Sequence, residues 1–227
     1  MPRFILIRHG ESVWNAERRI QGSQDVALSP RGRRQTDLLV QRLQAHVTRP
    51  VGAICTSPLR RAAETADRIA SVLHVPVIRE PDLREMSLGT WEGMTVAQIQ
   101  ATFPDSYERW LEDPVAFAPP GGEALPAFGR RVERALERMR QAHSGADLVI
   151  VSHGGVIKAL LCFALGLDIR YLFRLKQDNT AVSQVELDGQ VGRVLLMNDI
   201  CHLNGTGGTL ADRDVLADSA EVADPAF

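Results

Sequence analysis

Apolar runs alternate with amphipathic segments along this chain. Short runs rich in Val, Ile and Leu predict β-strands, and stretches with apolar residues every three to four positions predict helices between them. The predicted strands cover residues 3–8, 51–56, 75–79, 148–151, 181–187 and 193–197. Strands that alternate with helices favour βαβ units around a mainly parallel sheet.

Two dipeptides predict helix starts. Ser29-Pro30 and Ser57-Pro58 each place a capping serine before a proline at the first helical position. The first of these helices is expected to end near residue 46. Further helices are predicted over 95–103, 105–111, 125–143 and 155–165. The last two β-runs flank Asp188-Gly189, a dipeptide that is typical of a hairpin turn.

The chain has 227 residues, enough to bury one hydrophobic core, and its composition does not change in the middle. We therefore predict a single domain over residues 1–203. From residue 204 a Gly-rich stretch leads into an Ala- and Asp-rich segment, which predicts a flexible C-terminal tail over 204–227.

Charge and cysteine content limit the function classes. There are 26 Lys and Arg against 28 Asp and Glu, so the formal net charge is −2. This balance argues against a nucleic-acid or anionic-membrane partner. The three widely spaced cysteines favour reduced thiols. No apolar run is long enough to span a membrane and the N-terminus lacks a signal-peptide pattern, so we expect a cytoplasmic protein.

Two histidines follow predicted strands. Arg8-His9-Gly10-Glu11 ends the first strand, and Ser152-His153-Gly154-Gly155 lies between the fourth strand and a helix. Ligands of open α/β sheets bind at the carboxyl ends of the strands, and a helix N-terminus suits an anion. The glycine after each histidine allows a sharp turn and a close ligand approach. These two segments predict an anion site that contains both histidines.

Two more segments carry charged side chains at strand ends. The first, at 57–65, reads SPLRRAAET, and the second, at 83–93, reads LREMSLGTWEG. Successive helical residues point about 100° apart, so only one of Arg60 and Arg61 can face the strand ends. We predict that Arg60 faces inward. The second segment offers Glu85 and Glu92 as acid–base candidates.

Taken in this order, the segments RHGES, SPLRRAAET, LREMSLGTWEG and SHGG resemble the histidine phosphatase superfamily, which has the phosphoglycerate mutase-like fold. The resemblance extends over residues 4–203. It implies one histidine phosphatase domain, built as a three-layer α/β/α sandwich with a mostly parallel central sheet.

The resemblance also implies catalytic roles. His9 would be the nucleophile that takes the phosphoryl group onto a ring nitrogen. Arg8, Arg60 and His153 would surround the phosphoryl oxygens, where fixed donors stabilise transition-state charge. Glu85 would protonate the leaving oxygen and then activate water. The residues that match substrate-contacting positions are Ser12, Asn15, Gln21, Gly22 and Gly154.

No metal or other cofactor is implied. Fixed cations replace Mg²⁺ here, and no cluster of carboxylates of the kind that Mg²⁺ prefers is present in the motifs. A zinc site formed by His9, His153 and one carboxylate is the alternative, but it leaves the arginines unexplained. The other histidines match no motif and are assigned to the surface or to helix ends; they are His46, His74, His143 and His202.

The branch of the family is predicted from peripheral residues. Mutases typically read ERHYG where this chain reads EMSLG from Glu85, and HGN where it reads HGG from His153. The sequence therefore favours a phosphatase of small phosphorylated metabolites. The alternatives are a 2,3-bisphosphoglycerate-dependent phosphoglycerate mutase and a non-catalytic module that binds phospho-ligands. Phosphoserine, α-ribazole phosphate and phosphorylated sugars or glycerates remain substrate candidates, and a homodimer through the hairpin edge stays open.

Overall fold

The computed structural model describes residues 3–47, 49–143, 145–188 and 191–203. The strands are β1 (Arg3–Arg8), β2 (Val51–Thr56), β3 (Val77–Arg79), β4 (Asp147–Ser152), β5 (Val182–Asp188) and β6 (Val191–Asp199). The α-helices are α1 (Val13–Ala16), α2 (Pro30–His46), α3 (Arg60–Leu73), α4 (Val96–Thr102), α5 (Pro104–Glu112), α6 (Leu125–Ala142) and α7 (Gly154–Leu165). Short 3-10 helices cover Pro81–Leu83, Gly89–Trp91, Ile169–Arg174 and Cys201–Leu203. The predicted hairpin turn at Gly189 and the predicted tail 204–227 lie outside the described residues.

The six strands form one sheet in the order β3-β2-β4-β1-β5-β6. The pairs β1–β4, β2–β4 and β2–β3 are parallel, and the pairs β1–β5 and β5–β6 are antiparallel. The mostly parallel sheet is thus confirmed, and so is the antiparallel pairing of the last two strands. In register, Arg8 pairs with Ser152, and Thr56 pairs with Val151. The residues that follow β1, β2 and β4 therefore meet at one edge of the sheet.

Hydrophobic residues are buried on both faces of the sheet. Phe4 and Leu6 of β1 pack into a cluster with the inner sides of α6 and α7. Ile5 and Ile7 pack into a second cluster with α2 and α3. Because successive strand side chains point to opposite faces, a strand buried on both sides reads as an unbroken apolar run. The three-layer arrangement is confirmed. Within the described ranges, none of the helices has the length and apolar character needed to cross a bilayer.

The two predicted helix starts have different outcomes. Helix α2 begins as expected, because Ser29 Oγ accepts a hydrogen bond from the Gly32 amide at 2.9 Å and Pro30 occupies the first turn. The predicted start of α3 is wrong by two residues. This helix begins at Arg60, and its capping position is Leu59, which has no side-chain cap. The Ser57 hydroxyl lies beside His153 instead.

Candidate active site

The site lies where β1, β2 and β4 end. The backbone ladder continues one residue past these strands, because the His9 amide donates to Ser152 O at 2.9 Å and the Ser57 amide donates to Val151 O at 3.1 Å. The His9 and His153 rings consequently stand edge to face, with their centroids 5.1 Å apart. The predicted meeting of the two histidines is found.

His9 is a buried, neutral ring with one unprotonated nitrogen. Its Nδ1 lies 2.7 Å from Gly10 O, and a carbonyl oxygen only accepts, so Nδ1 carries the proton. Burial lowers the pKa of His9 well below its ordinary value of 6.5, and the charges of Arg61 and Arg8 lower it further. Nε2 is therefore unprotonated and available as a nucleophile.

Arg61, not Arg60, is the arginine that faces His9. The Arg61 side chain is buried, and its Nε donates to His9 Nε2 at 3.3 Å. Its two terminal nitrogens donate to Gln24 O at 2.6 Å and Gly22 O at 2.8 Å. Arg60 is exposed to solvent. The prediction that Arg60 points inward is wrong. Burial lowers the pKa of Arg61 to about 10, so the side chain stays cationic at neutral pH.

The sequence does contain a signal for this choice. In α3, Arg61 and Thr65 are one helical turn apart, and both are buried next to the apolar positions of the helix. Arg60 lies on the outer face of α3. It shares this face with the polar residues Glu64, Asp67, Arg68 and Ser71. Residues spaced by three or four positions share a helix face. Arg61 and Thr65 lie on the side of α3 that carries its buried apolar residues, and this spacing identifies Arg61 as the inward arginine.

Two buried nitrogen atoms of the site have no hydrogen-bond partner in the part of the chain that the structure describes. Arg8 Nε and His153 Nδ1 are both fully shielded from solvent, and neither has a hydrogen-bond partner among the described residues. Unsatisfied buried donors are rare and cost free energy. A terminal nitrogen of Arg8 donates to Gln177 O, which orients the guanidinium. A Cβ at Gly154 would lie 3.6 Å from Arg8 Cζ, so the start of α7 packs against this arginine. These features suit an oxyanion ligand.

His153 is also neutral. Burial lowers its pKa well below 6.5, and Arg61, His9 and Arg8 lower it further. Its Nε2 lies 2.8 Å from Ser57 Oγ. The side chain is completely buried at the first residue before α7. Its orientation is therefore set by packing and by one hydroxyl group.

Glu85 lies against the first turn of α7. Its Oε2 accepts a hydrogen bond from the Gly155 amide at 3.0 Å, and its Oε1 accepts one from the Met86 amide at 2.9 Å. A Cβ at Gly155 would come within 2.5 Å of Oε1, so glycine is needed for this approach. Glu85 interacts electrostatically with Arg8 and Arg61. The structure thus places the predicted acid, Glu85, beside Arg8 and Arg61, whereas the sequence predicts Arg60 in the place of Arg61.

Glu92, the other acid–base candidate, is engaged by the surrounding loops. It accepts hydrogen bonds from the Ser23 amide at 2.8 Å, the Leu88 amide at 2.9 Å and Gln24 Nε2 at 2.7 Å. Burial acts to raise the pKa of Glu92, but these donors outweigh it and the pKa lies below its ordinary value. Glu92 therefore holds the two loops together as a carboxylate.

The predicted substrate-contacting residues of the first loop are joined to each other. Ser12 caps α1 in a reciprocal capping box with Asn15. Ser12 Oγ also donates to Gln21 Oε1 at 2.7 Å. Gly22 has a φ of +50°, and its carbonyl accepts from Arg61 at 2.8 Å. Hydrogen bonds thus join Ser12 to Asn15 and Gln21, and the Gly22 carbonyl helps to position Arg61.

The loop at residues 177–180 contacts Arg8 and His9, although it carries no recognisable sequence motif. Asn179 Nδ2 donates to His9 O at 3.1 Å, and the Thr180 amide donates to Arg8 O at 3.1 Å. These two contacts fix the Arg8-His9 backbone, and the Gln177 carbonyl of the same loop holds the Arg8 side chain. The sequence predicts no site residue here, because the contacts join segments about 170 residues apart, and only the folded sheet brings them together.

His202 extends this support to the opposite side of the loop. Its Nε2 lies 3.0 Å from Thr180 Oγ1, and its Nδ1 lies 3.4 Å from a terminal nitrogen of Arg42 in α2. The side chain is partly buried. His202 therefore bridges α2 and the loop behind His9, a contact that its assignment to the surface or to a helix end did not predict.

The described residues of the site do not form a cluster of metal-ligating side chains. In the part of the chain that the structure describes, no three His, Cys, Asp or Glu side chains cluster as a metal site would require. The zinc alternative needs a carboxylate together with His9 and His153. The groups around His9 are cationic arginines, which suit an anionic ligand.

The fold and the four motif segments define a member of the histidine phosphatase superfamily (branch 1), whose family model matches residues 4–200. The chain belongs to this family. It is 36% identical to phosphoserine phosphatase 1 of Hydrogenobacter thermophilus over 203 residues, which cover 89% of this chain and 95% of that protein.

Solved structures agree with this assignment. YhfR of Bacillus stearothermophilus superposes with a TM-score of 0.81 at 33% identity and covers 89% of this chain and 99% of its own. The α-ribazole phosphatase of Shigella flexneri superposes with a TM-score of 0.78 at 28% identity, with 87% of this chain and 96% of its own covered. The named phosphatases among these relatives act on small phosphorylated metabolites.

Proposed function

We propose that this chain hydrolyses phosphate monoesters of small metabolites through a phosphohistidine at Nε2 of His9, without a metal ion. One observation carries the proposal. A neutral histidine with an unprotonated Nε2 lies among Arg61, Arg8 and His153, and the last two present buried nitrogens that have no partner among the described residues. This combination suits nucleophilic attack on a bound phosphoryl group.

In the first step, His9 Nε2 attacks phosphorus in line with the leaving oxygen. The Nε2–P bond forms while the P–O bond to the leaving group breaks. Arg8, Arg61 and His153 donate hydrogen bonds to the phosphoryl oxygens and stabilise the charge that spreads over them. The protonated Glu85 carboxyl gives its proton to the leaving oxygen, which departs as an alcohol.

In the second step, water attacks the phosphorus of phosphohistidine. The Glu85 carboxylate accepts a proton from this water while the new P–O bond forms and the N–P bond breaks. Inorganic phosphate leaves, and the Nε2 lone pair and the protonated Glu85 are restored. The fixed arginines serve both steps, because the equatorial oxygens keep their positions.

The test is phosphate release from a panel of monoesters: p-nitrophenyl phosphate, phosphoserine, α-ribazole phosphate and 3-phosphoglycerate. Wild type and His9→Ala are compared with and without excess EDTA. We expect turnover that persists in EDTA and disappears in His9→Ala, with unchanged circular dichroism. Isomerisation of 3-phosphoglycerate with bisphosphoglycerate, and no phosphate release, would assign the mutase alternative. Loss of activity in EDTA would contradict a metal-independent mechanism.

Assembly and compartment belong to the same proposal. Strand β6 is an outer strand of the sheet and exposes Leu195 and Met197, so it is the edge through which two copies would form a homodimer. Free thiols at all three cysteines fit the reducing cytoplasm. Light scattering coupled to gel filtration tests the dimer, and a monomeric mass at micromolar concentration would contradict it.

A further inference from the structure

Ser57 and His153 meet at the ends of adjacent parallel strands. Ser57 follows β2, His153 follows β4, and both side chains are completely buried. The amide of Ser57 donates to Val151 O at 3.1 Å, which fixes the serine backbone to β4. Its Oγ lies 2.8 Å from His153 Nε2. The sheet register therefore sets this contact.

The hydroxyl proton of Ser57 determines the direction of this hydrogen bond. Ser57 Oγ already accepts a hydrogen bond from the Leu59 amide at 3.3 Å. A hydroxyl has one proton to donate, and within the described residues His153 Nε2 is the acceptor that Oγ reaches. If His153 donated instead, the buried hydroxyl proton would have no acceptor there, which costs free energy. Ser57 is thus the donor, and Nε2 is the acceptor.

This direction defines the tautomer of His153. Because the ring is neutral, only one of its nitrogens carries a proton. With Nε2 accepting from Ser57, the proton lies on Nδ1. Nδ1 is the buried atom without a partner among the described residues. An Nδ1–H beside a phosphoryl oxygen would donate to it, whereas an Nδ1 lone pair would repel it.

We propose that Ser57 is a positioning residue that holds His153 as the Nδ1–H tautomer, so that Nδ1–H donates to an oxygen of the transferred phosphoryl group. The part of this proposal in which Nδ1–H donates to a phosphoryl oxygen rests on the proposed function. Ser57 does not touch the substrate in this scheme and acts through His153. A hydrogen bond to one ring nitrogen commonly decides which tautomer the other nitrogen presents.

The tautomer is measured in the free protein by ¹⁵N NMR of histidine-labelled samples, where protonated and unprotonated ring nitrogens differ widely in chemical shift. A spectrum of His153→Gln identifies the His153 signals. We expect wild type to show a protonated Nδ1 and an unprotonated Nε2. We expect Ser57→Ala to populate the Nε2–H form, and Ser57→Thr, which keeps the hydroxyl, to retain the wild-type form.

Ser152→Ala is the matched control. Ser152 is completely buried next to His153, but its hydroxyl donates to Leu83 O at 2.8 Å and not to the ring. Ser152→Ala also removes one buried serine hydroxyl next to His153, but it should leave His153 in the Nδ1–H tautomer. An Nε2–H tautomer in wild type would overturn the proposal, and so would an unchanged tautomer in Ser57→Ala.

Kinetics provides a second readout. Ser57→Ala should lower kcat with p-nitrophenyl phosphate by about 10- to 100-fold and weaken inhibition by orthovanadate in parallel. In a His153→Gln background Ser57→Ala should have little further effect, because the two substitutions remove the same hydrogen bond, the one between Ser57 Oγ and His153 Nε2. A full additional loss in that background would contradict an action through His153. If His9→Ala retained activity, the proposed function would fail while the tautomer measurement would still stand.

Discussion

The guanidinium Nε of Arg61 lies 3.3 Å from Nε2 of His9, the atom on which we place the phosphoryl group. The other two nitrogens of this guanidinium are held by the carbonyls of Gln24 and Gly22. Arg61 is therefore oriented before any ligand arrives. A fixed cation at this position disfavours protonation of His9 and is ready to stabilise phosphoryl oxygens.

Removal of Arg61 should be far more damaging than removal of its neighbour. We expect Arg61→Ala to lower kcat/KM by about 100- to 1000-fold, because one preorganised donor to the transition state is lost. Arg60→Ala should stay within about threefold of wild type, since surface substitutions away from a site have small effects. Steady-state kinetics with p-nitrophenyl phosphate checks both. An equal loss in the two variants would contradict the assignment of Arg61.

His9 should remain neutral in mildly acidic solution. Burial, followed by the charges of Arg61 and Arg8, lowers its pKa well below 6.5, so the ring should not gain a proton as the pH falls through 6.5. Arg61→Ala should raise this pKa, because a nearby like charge is removed. An ¹⁵N NMR titration of labelled histidines measures both effects. Protonation of His9 near pH 6.5 in wild type would refute the prediction.

Gly155→Ala should displace Glu85. The added Cβ would lie 2.5 Å from Glu85 Oε1, so the carboxyl must move away from the first turn of α7. A shift of about 1 Å in a catalytic group can cost about 100-fold in rate, and we expect a loss of kcat of that order. Gly145→Ala is the control, because a Cβ there meets no atom within 4 Å. Kinetics and thermal unfolding of both variants separate activity from stability.

His202 should make stability depend on pH. Burial, followed by the charge of Arg42, lowers its pKa to about 4, while Asp199 acts in the opposite direction. Between pH 4 and 6.5 the unfolded chain binds this proton and the folded chain does not. The free energy of unfolding therefore rises with pH across this window. His202→Gln should make that rise shallower in urea unfolding measurements. An unchanged slope would show that His202 is not responsible.

The cysteines should differ sharply in reactivity. Burial raises the pKa of Cys55 and of Cys162 to about 11, so their thiols stay protonated and shielded. Cys201 is exposed. A thiol reagent such as Ellman's reagent should titrate one thiol in the folded protein and all three in denaturant. Cys201→Ser should abolish the reaction of the folded protein, and fast labelling of a second thiol would contradict the burial of the other two.

Local patterns along the chain determined the architecture of this protein. Apolar runs place the strands, and Ser29-Pro30 starts α2 where it is predicted. The Arg8-His9 and Ser152-His153 segments end two strands that pair in parallel, and parallel strands necessarily bring their carboxyl ends to one edge. The position of the site could therefore be predicted, because propensity and periodicity depend on neighbouring residues. The family was indicated by the resemblance of the four motif segments to the histidine phosphatase superfamily.

Tertiary structure decided the contacts that complete the site. Arg61 and Arg60 are chemically identical, and the packing face of α3 selects one of them, although the i, i+4 spacing of Arg61 and Thr65 points to it. The contacts of Ser57 with His153 and of His202 with Thr180 join strands and loops that only the sheet order places side by side. Hydrogen bonds between distant segments depend on distances and directions in three dimensions, which no local pattern in a single sequence encodes.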